Sequence, residues 1–384
     1  MKFFFWSLAK AILFLGTALA VTSSLSAAQI VVGQVAPMSG PDAEQGRAYT
    51  AGMQLLFDTV NQAGGVNGNS FNLVTLDDAG SPQNTVRMTR QLIAESPPLV
   101  LAGYFGRRNI AALMEAGLLE KEKLVLLGYR ATEINEPFPS FYSVRANLRD
   151  ELEKIAVHLD TLGVTRVGLL YEYEPSVTPP ATPLREWLGR GRVTIVARAS
   201  YEAGTTRVTE AVDALLSAAP QAIILVTSGS AGARFIEQFR AGGGSSLLFV
   251  HSGADMERTS RQIAQDRLSF VSTVMRGVAI AQVVPNPREM ALLSTEFRAA
   301  ISKTGKPDIQ ADYVTMEGFI AAKVIVEAVR RQGARPTRAG MGSALDNLNN
   351  LNLGGYVIGF NKGNRSGSHF VHLSIISDTG KIRQ

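Results

Sequence analysis

From Gln29 onward, short runs of β-branched and other apolar residues alternate with stretches whose apolar residues recur every three or four positions. This alternation predicts βα units around a mostly parallel sheet. "IVVGQVAPM" (30–38) reads as the first strand; Met53, Leu56, Phe57 and Val60 follow at helical spacing until Gly64-Gly65 breaks the pattern. "FNLVTLDD" is the second strand, Thr85–Ala94 the next helix, and "PPLVLAGYF" the third strand, with "KLVLLGYRA" and "FYSVRAN" continuing the set. Asn147, backed by Asp150 and Glu151, predicts a capped start for the helix "LRDELEKIAVHLDTLG", which ends at Gly163.

The same alternation then begins again. "VTRVGLLYEYE", "VTIVARASY", "AIILVTSG" and "LLFVHSG" are four more short strands separated by helices or polar turns, so a second sheet is expected. "RGVAIAQVVPNP" reads as extended, and amphipathic helices are expected over Arg288–Lys303 and Tyr313–Gln332. "GGYVIGFN" and "HFVHLSIIS" are expected as a hairpin-like pair around the polar turn Asn361–Ser368. With no low-complexity linker and no short-period repeat, the halves should be joined by several chain crossings, which makes a hinge.

A length of 384 residues suits two lobes better than one core. The start, "MKFFFWSLAKAILFLGTALAVTSSLSAA", sets Lys2 before an apolar run and ends in small residues, the grammar of a signal peptide (1–28) cleaved after Ala28. Lys10 interrupts that run and hydroxyl residues weaken its end, which argues against a membrane anchor. Of the formal charge of +5, Lys2 and Lys10 supply two and no acid precedes Gln29, so the exported chain would carry only +3 and no nucleic-acid partner is expected. The absence of cysteine removes disulfides, thiolate metal sites and a lipidated N-terminal cysteine. A periplasmic protein is the expectation.

Catalytic chemistry finds little support. The four histidines, His158, His251, His369 and His372, form no helix-borne pair at metal-ligand spacing, so no metal is expected. Nucleophile-elbow, phosphate-loop and dinucleotide glycine motifs are absent, so no cofactor is expected either. The strand ends carry the remaining chemistry, since open α/β sheets bind ligands there. "PMSGPDAEQG", which contains Gln45, "GYFGRRN", "GYRATE", "YEYEPS", "TSGSAG" and "HSGAD" are rich in hydroxyls, tyrosines and arginines, suited to holding a small polar molecule. Phe105, Tyr129 and Tyr171 are the aromatic lining candidates. Arg107 and Arg108 stand together at a strand-to-helix turn: either they are solvated surface charges, or Arg107, with Arg130, grips a carboxylate beside the helix start at Asn109.

On "IVVGQVAPMSGPDAEQGRAYTAGMQLLFDTVNQAGGVNG", "LVTLDDAGSP" and "DYVTMEGFIAAKVIVEAVRR", the chain from Ile30 to about Thr379 resembles the type I periplasmic solute-binding proteins of the leucine/isoleucine/valine-binding family, the receptors of ABC importers. The resemblance implies an α/β fold of two Rossmann-like lobes with parallel-sheet cores and a three-strand hinge. It places lobe 1 at 29–145 plus 281–367 and lobe 2 at 146–280 plus 368–384, with crossings near Val144–Ala146, Ala279–Gln282 and Gly367–Phe370. It implies a monomer that closes on an amino acid or related organic acid and delivers it to importer membrane subunits. By the same resemblance the ligand's carboxylate would meet Arg107, where the family commonly has serine, and Ala131-Thr132, while Ser228, Ser230 and Asp255 would face it from lobe 2. Tyr313 is a further candidate; Glu317 reads as part of a structural helix-end network. The alternatives are a ligand sensor read by a signalling partner and an exported hydrolase, which would need a base-activated nucleophile.

Overall fold

The computed structural model describes residues 28–131, 139–173, 193–306, 308–379 and 381–383, the side chains of 265–270 excepted. The first apolar runs become β1 (Ala28–Ala36), β2 (Asn69–Asp77), β3 (Val100–Ala102), β4 (Leu126–Leu127) and β5 (Phe141–Tyr142), a parallel sheet in the order β2-β1-β3-β4-β5. Val32, Val35, Leu101 and Leu126 are buried although neighbouring strand residues point to opposite faces, because helices cover both. Those helices are α1 (Ala43–Gln62), α2 (Pro82–Glu95), α3 (Arg107–Glu115) and α4 (Leu118–Glu122). α2 starts before its apolar periodicity does, since Ser81 caps it and Pro82 occupies its first turn.

α5 (Leu148–Thr161) opens on the capping box read from Asn147 and Asp150. It leads into β6 (Arg166–Tyr173), β7 (Thr194–Glu202), β8 (Ala222–Val226), β9 (Leu247–Val250) and β10 (Ala279–Gln282), all parallel, with α6 (Thr209–Ala218), α7 (Gly229–Ala241) and α8 (Met256–Phe270) between them. The chain then returns to the first core with α9 (Leu292–Thr304), α10 (Tyr313–Gln332), α11 (Arg338–Asp346) and the small hairpin β11 (Leu351–Asn352) and β12 (Val357–Ile358). α10 lies so close to α1 that a Cβ on Gly52 would sit 1.9 Å from the Thr315 carbonyl oxygen, and one on Gly318 would sit 2.1 Å from that of Tyr49.

Three expectations need correction, two of them about elements and one about the crossings. α9 begins at Leu292 rather than Arg288, because Asn286 folds Arg288 and Glu289 into a turn through their backbone amides. The segments "GGYVIGFN" and "HFVHLSIIS" do not pair with each other. Ile358 and Phe360 are buried in the first core, whereas β13 (His372–Ile376) runs antiparallel along β10, and β14 (Ile382–Arg383) along β13. The second sheet therefore has the order β14-β13-β10-β9-β8-β6-β7.

Among the described residues the backbone passes between the two cores at 143–147, 283–291 and 366–371, so the middle crossing lies past Ala279–Gln282, where it was expected, because those residues are β10, held between β9 and β13 inside the second sheet. These passes are bonded to one another. The buried Tyr356 hydroxyl lies 2.7 Å from the Val144 carbonyl oxygen and 3.1 Å from that of Val283, while the Ser143 amide donates to Arg365 and its carbonyl accepts from Gly367.

Candidate functional site

The carboxyl ends of strands from both sheets converge on a cavity of about 20 Å³. Arg130, one turn beyond β4, enters it from the first lobe together with Tyr313, Val314 and Glu317 of α10; Ser252, Asp255 and Glu257 follow β9, and Gln282 ends β10. Arg130 is buried, and its Nη1 lies 2.8 Å from Glu317 Oε2 while its guanidinium stands over the Phe105 ring at 5.7 Å. Arg145, in the first pass between lobes, lies 3.6 Å from both Glu317 Oε2 and Glu151 Oε1 and donates to the Ser252 hydroxyl. Burial disfavours the charge of Arg145, but Glu317 and Glu151 beside it hold its pKa above the ordinary arginine value.

Asp255 takes a left-handed φ of 45°, which an aspartate tolerates better than most residues, and so presents its carboxylate to the cavity rather than to water. Burial pushes its carboxyl up to about 6, against the pull of Arg258, whose Nε is 3.3 Å away. Further out, charges of alternating sign join the lobes. Asp312, which caps α10, pairs with Arg258 and Arg261 of α8; Arg258 also faces Glu44 at 3.9 Å, and Arg288 lies 2.9 Å from Glu257. His251 is buried with its pKa lowered by burial, its Nε2 2.9 Å from the Thr227 carbonyl oxygen and its Nδ1 accepting from Gly253. Among the described residues no cluster of histidine, aspartate and glutamate could hold a metal ion, and no helix is long and apolar enough to cross a membrane.

The periplasmic binding protein profile matches residues 29–378, from β1 past β13. The chain belongs to the periplasmic binding protein family. It is 34% identical to a substrate-binding periplasmic protein of Ralstonia solanacearum, whose crystal structure it matches with a TM-score of 0.82 over 92% of this chain and 99% of that one. A Leu/Ile/Val-binding protein homolog 7 of Brucella abortus is 24% identical, over 82% of this chain and 80% of its own length. A possible leucine/isoleucine/valine-binding protein of Rhodopirellula baltica has the same fold, with a TM-score of 0.83 at 18% identity over 94% of this chain and 98% of its own. Members of the family are non-enzymatic solute-binding proteins, which removes the hydrolase alternative.

Of the residues singled out from sequence, this periplasmic binding protein brings Arg130 and Asp255 together in the cavity wall, with Phe105 packed behind Arg130. Tyr129 and Ala131 turn instead toward the core on the outer face of the first sheet, where Tyr129 meets Phe141 edge-on and burial pushes its hydroxyl up to about 12. Tyr171 packs against the second sheet's core, Ser228 is occupied in capping α7, and Ser230 is exposed on that helix's first turn. Gln45 is half-buried in the first turn of α1, and Thr132 lies outside the described residues. Arg107 is half-buried at the first position of α3, whereas Arg108 is exposed. The neighbouring Asn109 donates to the buried Asp78 carboxylate at 3.4 Å, so α3's start already has a negative neighbour. Sequence reasoning missed Ser252, Glu257 and Gln282 and gave Glu317 a purely structural part. Asp312, Tyr313 and Glu317 cluster in the first turns of one helix, a grouping that offered a signal.

Proposed function

We propose that this periplasmic binding protein is the solute receptor of an ABC importer, and that it captures a small carboxylate-bearing solute, an amino acid or a related organic acid, by hinge closure. The observation that carries the reading is the cavity: at about 20 Å³ between strand ends of two lobes bridged by ion pairs, it admits no organic solute unless its walls part. Capture and lobe motion are then one event. The lobes that move are 29–145 with the segment that follows β10 as far as 367, and 146–282 with 368–384, joined by the three passes; Ala281 and Gln282, expected in the first lobe, go with the second because they pair with Leu373 and His372 of β13. The Leu/Ile/Val-binding names of relatives support an importer role, and Arg107 at the start of α3, close to Ala131 and Thr132 in the resemblance, supports a carboxylate. Cleavage after Ala28 would release the chain as a monomer into the periplasm, where membrane subunits of the importer are its partner. A thermal-shift screen of amino acids, aromatic acids and dicarboxylates tests the reading: a carboxylate that raises the unfolding temperature supports it, and a response only to uncharged solutes such as sugars overturns it.

A further inference from the structure

Asn67-Gly68 is the single asparagine–glycine pair in the chain, and it lies in the connection from α1 to β2. Both residues are exposed and both have a left-handed φ, 52° at Asn67 and 75° at Gly68. Val66 and Asn69 exchange backbone hydrogen bonds of 2.8 and 2.9 Å across them, so the pair is the tip of a tight two-residue turn. The Gly68 amide takes no part in that bonding: among the described residues it donates to no acceptor. Nothing crowds it either, since beyond its chain neighbours no heavy atom lies within 4 Å of the position a Cβ would take. The Asn67 side chain reaches the far end of α10, where Nδ2 donates to the Arg330 carbonyl oxygen at 2.9 Å and to that of Val329 at 3.5 Å. These carbonyls are among the last four of the helix, which lack the usual donor one turn on, and the Gly333 amide reaches only the Arg330 oxygen, at 3.3 Å. One asparagine amide therefore clasps the end of α10.

We propose that Asn67 is a site of spontaneous deamidation, and that the reaction releases this clasp. The Gly68 amide nitrogen, giving its proton to water, attacks Asn67 Cγ; the Cγ–Nδ2 bond breaks, and Nδ2 takes a proton from water and leaves as ammonia. The product is a five-membered succinimide, which one water molecule then opens. Addition at Cγ yields aspartate, whereas addition at the main-chain carbonyl carbon yields isoaspartate; no oxidant or reductant is needed. Glycine makes the attack feasible, because it sets no Cβ against the forming ring. Asn349 and Asn350 are also exposed, but they precede Asn350 and Leu351, whose side chains crowd the same approach. Either product undoes the clasp. Aspartate has no hydrogen to give the Val329 and Arg330 carbonyls and sets a negative charge at the negative end of α10. Isoaspartate adds a methylene to the main chain of a two-residue turn, so Val66 and Asn69 lose the register of their paired bonds. The damage falls at the opposite end of α10 from Glu317 and the cavity wall.

The test ages the folded mature protein in mildly alkaline buffer beside the same protein unfolded in urea, and follows both by intact mass, peptide mapping and enzymatic methyl labelling of isoaspartate. The expected result is a gain of about 1 Da that maps to Asn67 in the folded protein, at a rate within about tenfold of the unfolded chain, where no structure assists or protects the pair. Asn67→Gly, which keeps the left-handed turn but has no amide to lose, should show no gain at that peptide. Aged protein and Asn67→Asp should both melt about 2 °C or more below fresh wild type. Modification at Asn67 in urea but not in the folded protein would overturn the site, because the turn would then be shielding the pair. Modification in the folded protein with an unchanged melting temperature would overturn the clasp on α10.

Discussion

Arg130 ends its turn out of reach of water, and a guanidinium there must find its counter-charge inside the protein. It finds Glu317, which also faces Arg145, so Glu317→Ala would strip two buried cations of a shared carboxylate. The expected loss is about 3–5 kcal/mol of unfolding free energy, read from urea midpoints; a loss below about 1 kcal/mol would show that cleft water already solvates both arginines. Asp255 works in the opposite direction. Its folded-state pKa, about 6, exceeds the ordinary 3.8, so the stability it contributes is complete below about pH 4 and is lost as pH rises through 6. Asp255→Asn should therefore gain on the wild type by roughly 2–3 kcal/mol between pH 4 and pH 7, and parallel pH profiles of the two proteins would refute this. Arg107 and Arg108 form a third comparison. With Arg107 half-buried and Arg108 exposed, Arg107→Ala should weaken solute binding roughly ten- to a hundredfold and Arg108→Ala hardly at all. Equal effects in calorimetry would return the pair to the surface reading. Arg130 and Asp255 were legible because each closes a strand end. Glu257 and Glu317 were not, since what they face depends on two helices that meet only when the lobes do.

At the scale of elements, local signals served wherever the chain satisfies its own polar groups. Asn147 and Asp150 announce α5 because each side chain takes the other's backbone amide, and α10 runs from the cap at Asp312 to Gly333 as its periodicity implies. The last strands were misread for a nonlocal reason: "HFVHLSIIS" alternates well enough to pair with any edge, and the edge it found belongs to β10 rather than to the segment just before it. Close helix contact is likewise invisible to periodicity and shows only as Gly52 and Gly318 interrupting apolar helices. Since any Cβ at Gly318 meets the Tyr49 carbonyl oxygen at 2.1 Å, Gly318→Ala must push α10 off α1. A cost of about 1–3 kcal/mol is expected from such overpacking. An unshifted thermal midpoint would mean that the two helices slide apart without strain.

For the whole molecule, the question is what biases two lobes on three bonded passes toward closure. Glu44, Arg288 and Asp312 stand on one side of the cleft and Asp255, Glu257, Arg258 and Arg261 on the other, with signs alternating across the gap. Nothing in the sequence gathers these positions, which come from four separate segments and become neighbours only where the two sheets' strand ends face each other. Arg261 and Arg288 are partly exposed, so salt screens part of the attraction, while Asp312, at 2% side-chain exposure, is screened far less. Asp312 also caps α10, so its removal must spare the cap. Asp312→Ser does so: a serine oxygen can still accept from the Thr315 amide, and only the charge facing Arg258 and Arg261 disappears. The variant should bind the identified solute roughly three- to tenfold more weakly and lose most of the wild type's decline in affinity between low and high salt. Small-angle scattering without solute should show a larger radius of gyration for the variant at low salt. If variant and wild type keep the same salt slope and the same radius, the cross-lobe pairs contribute nothing to closure, and the hinge passes alone set the balance between open and closed forms.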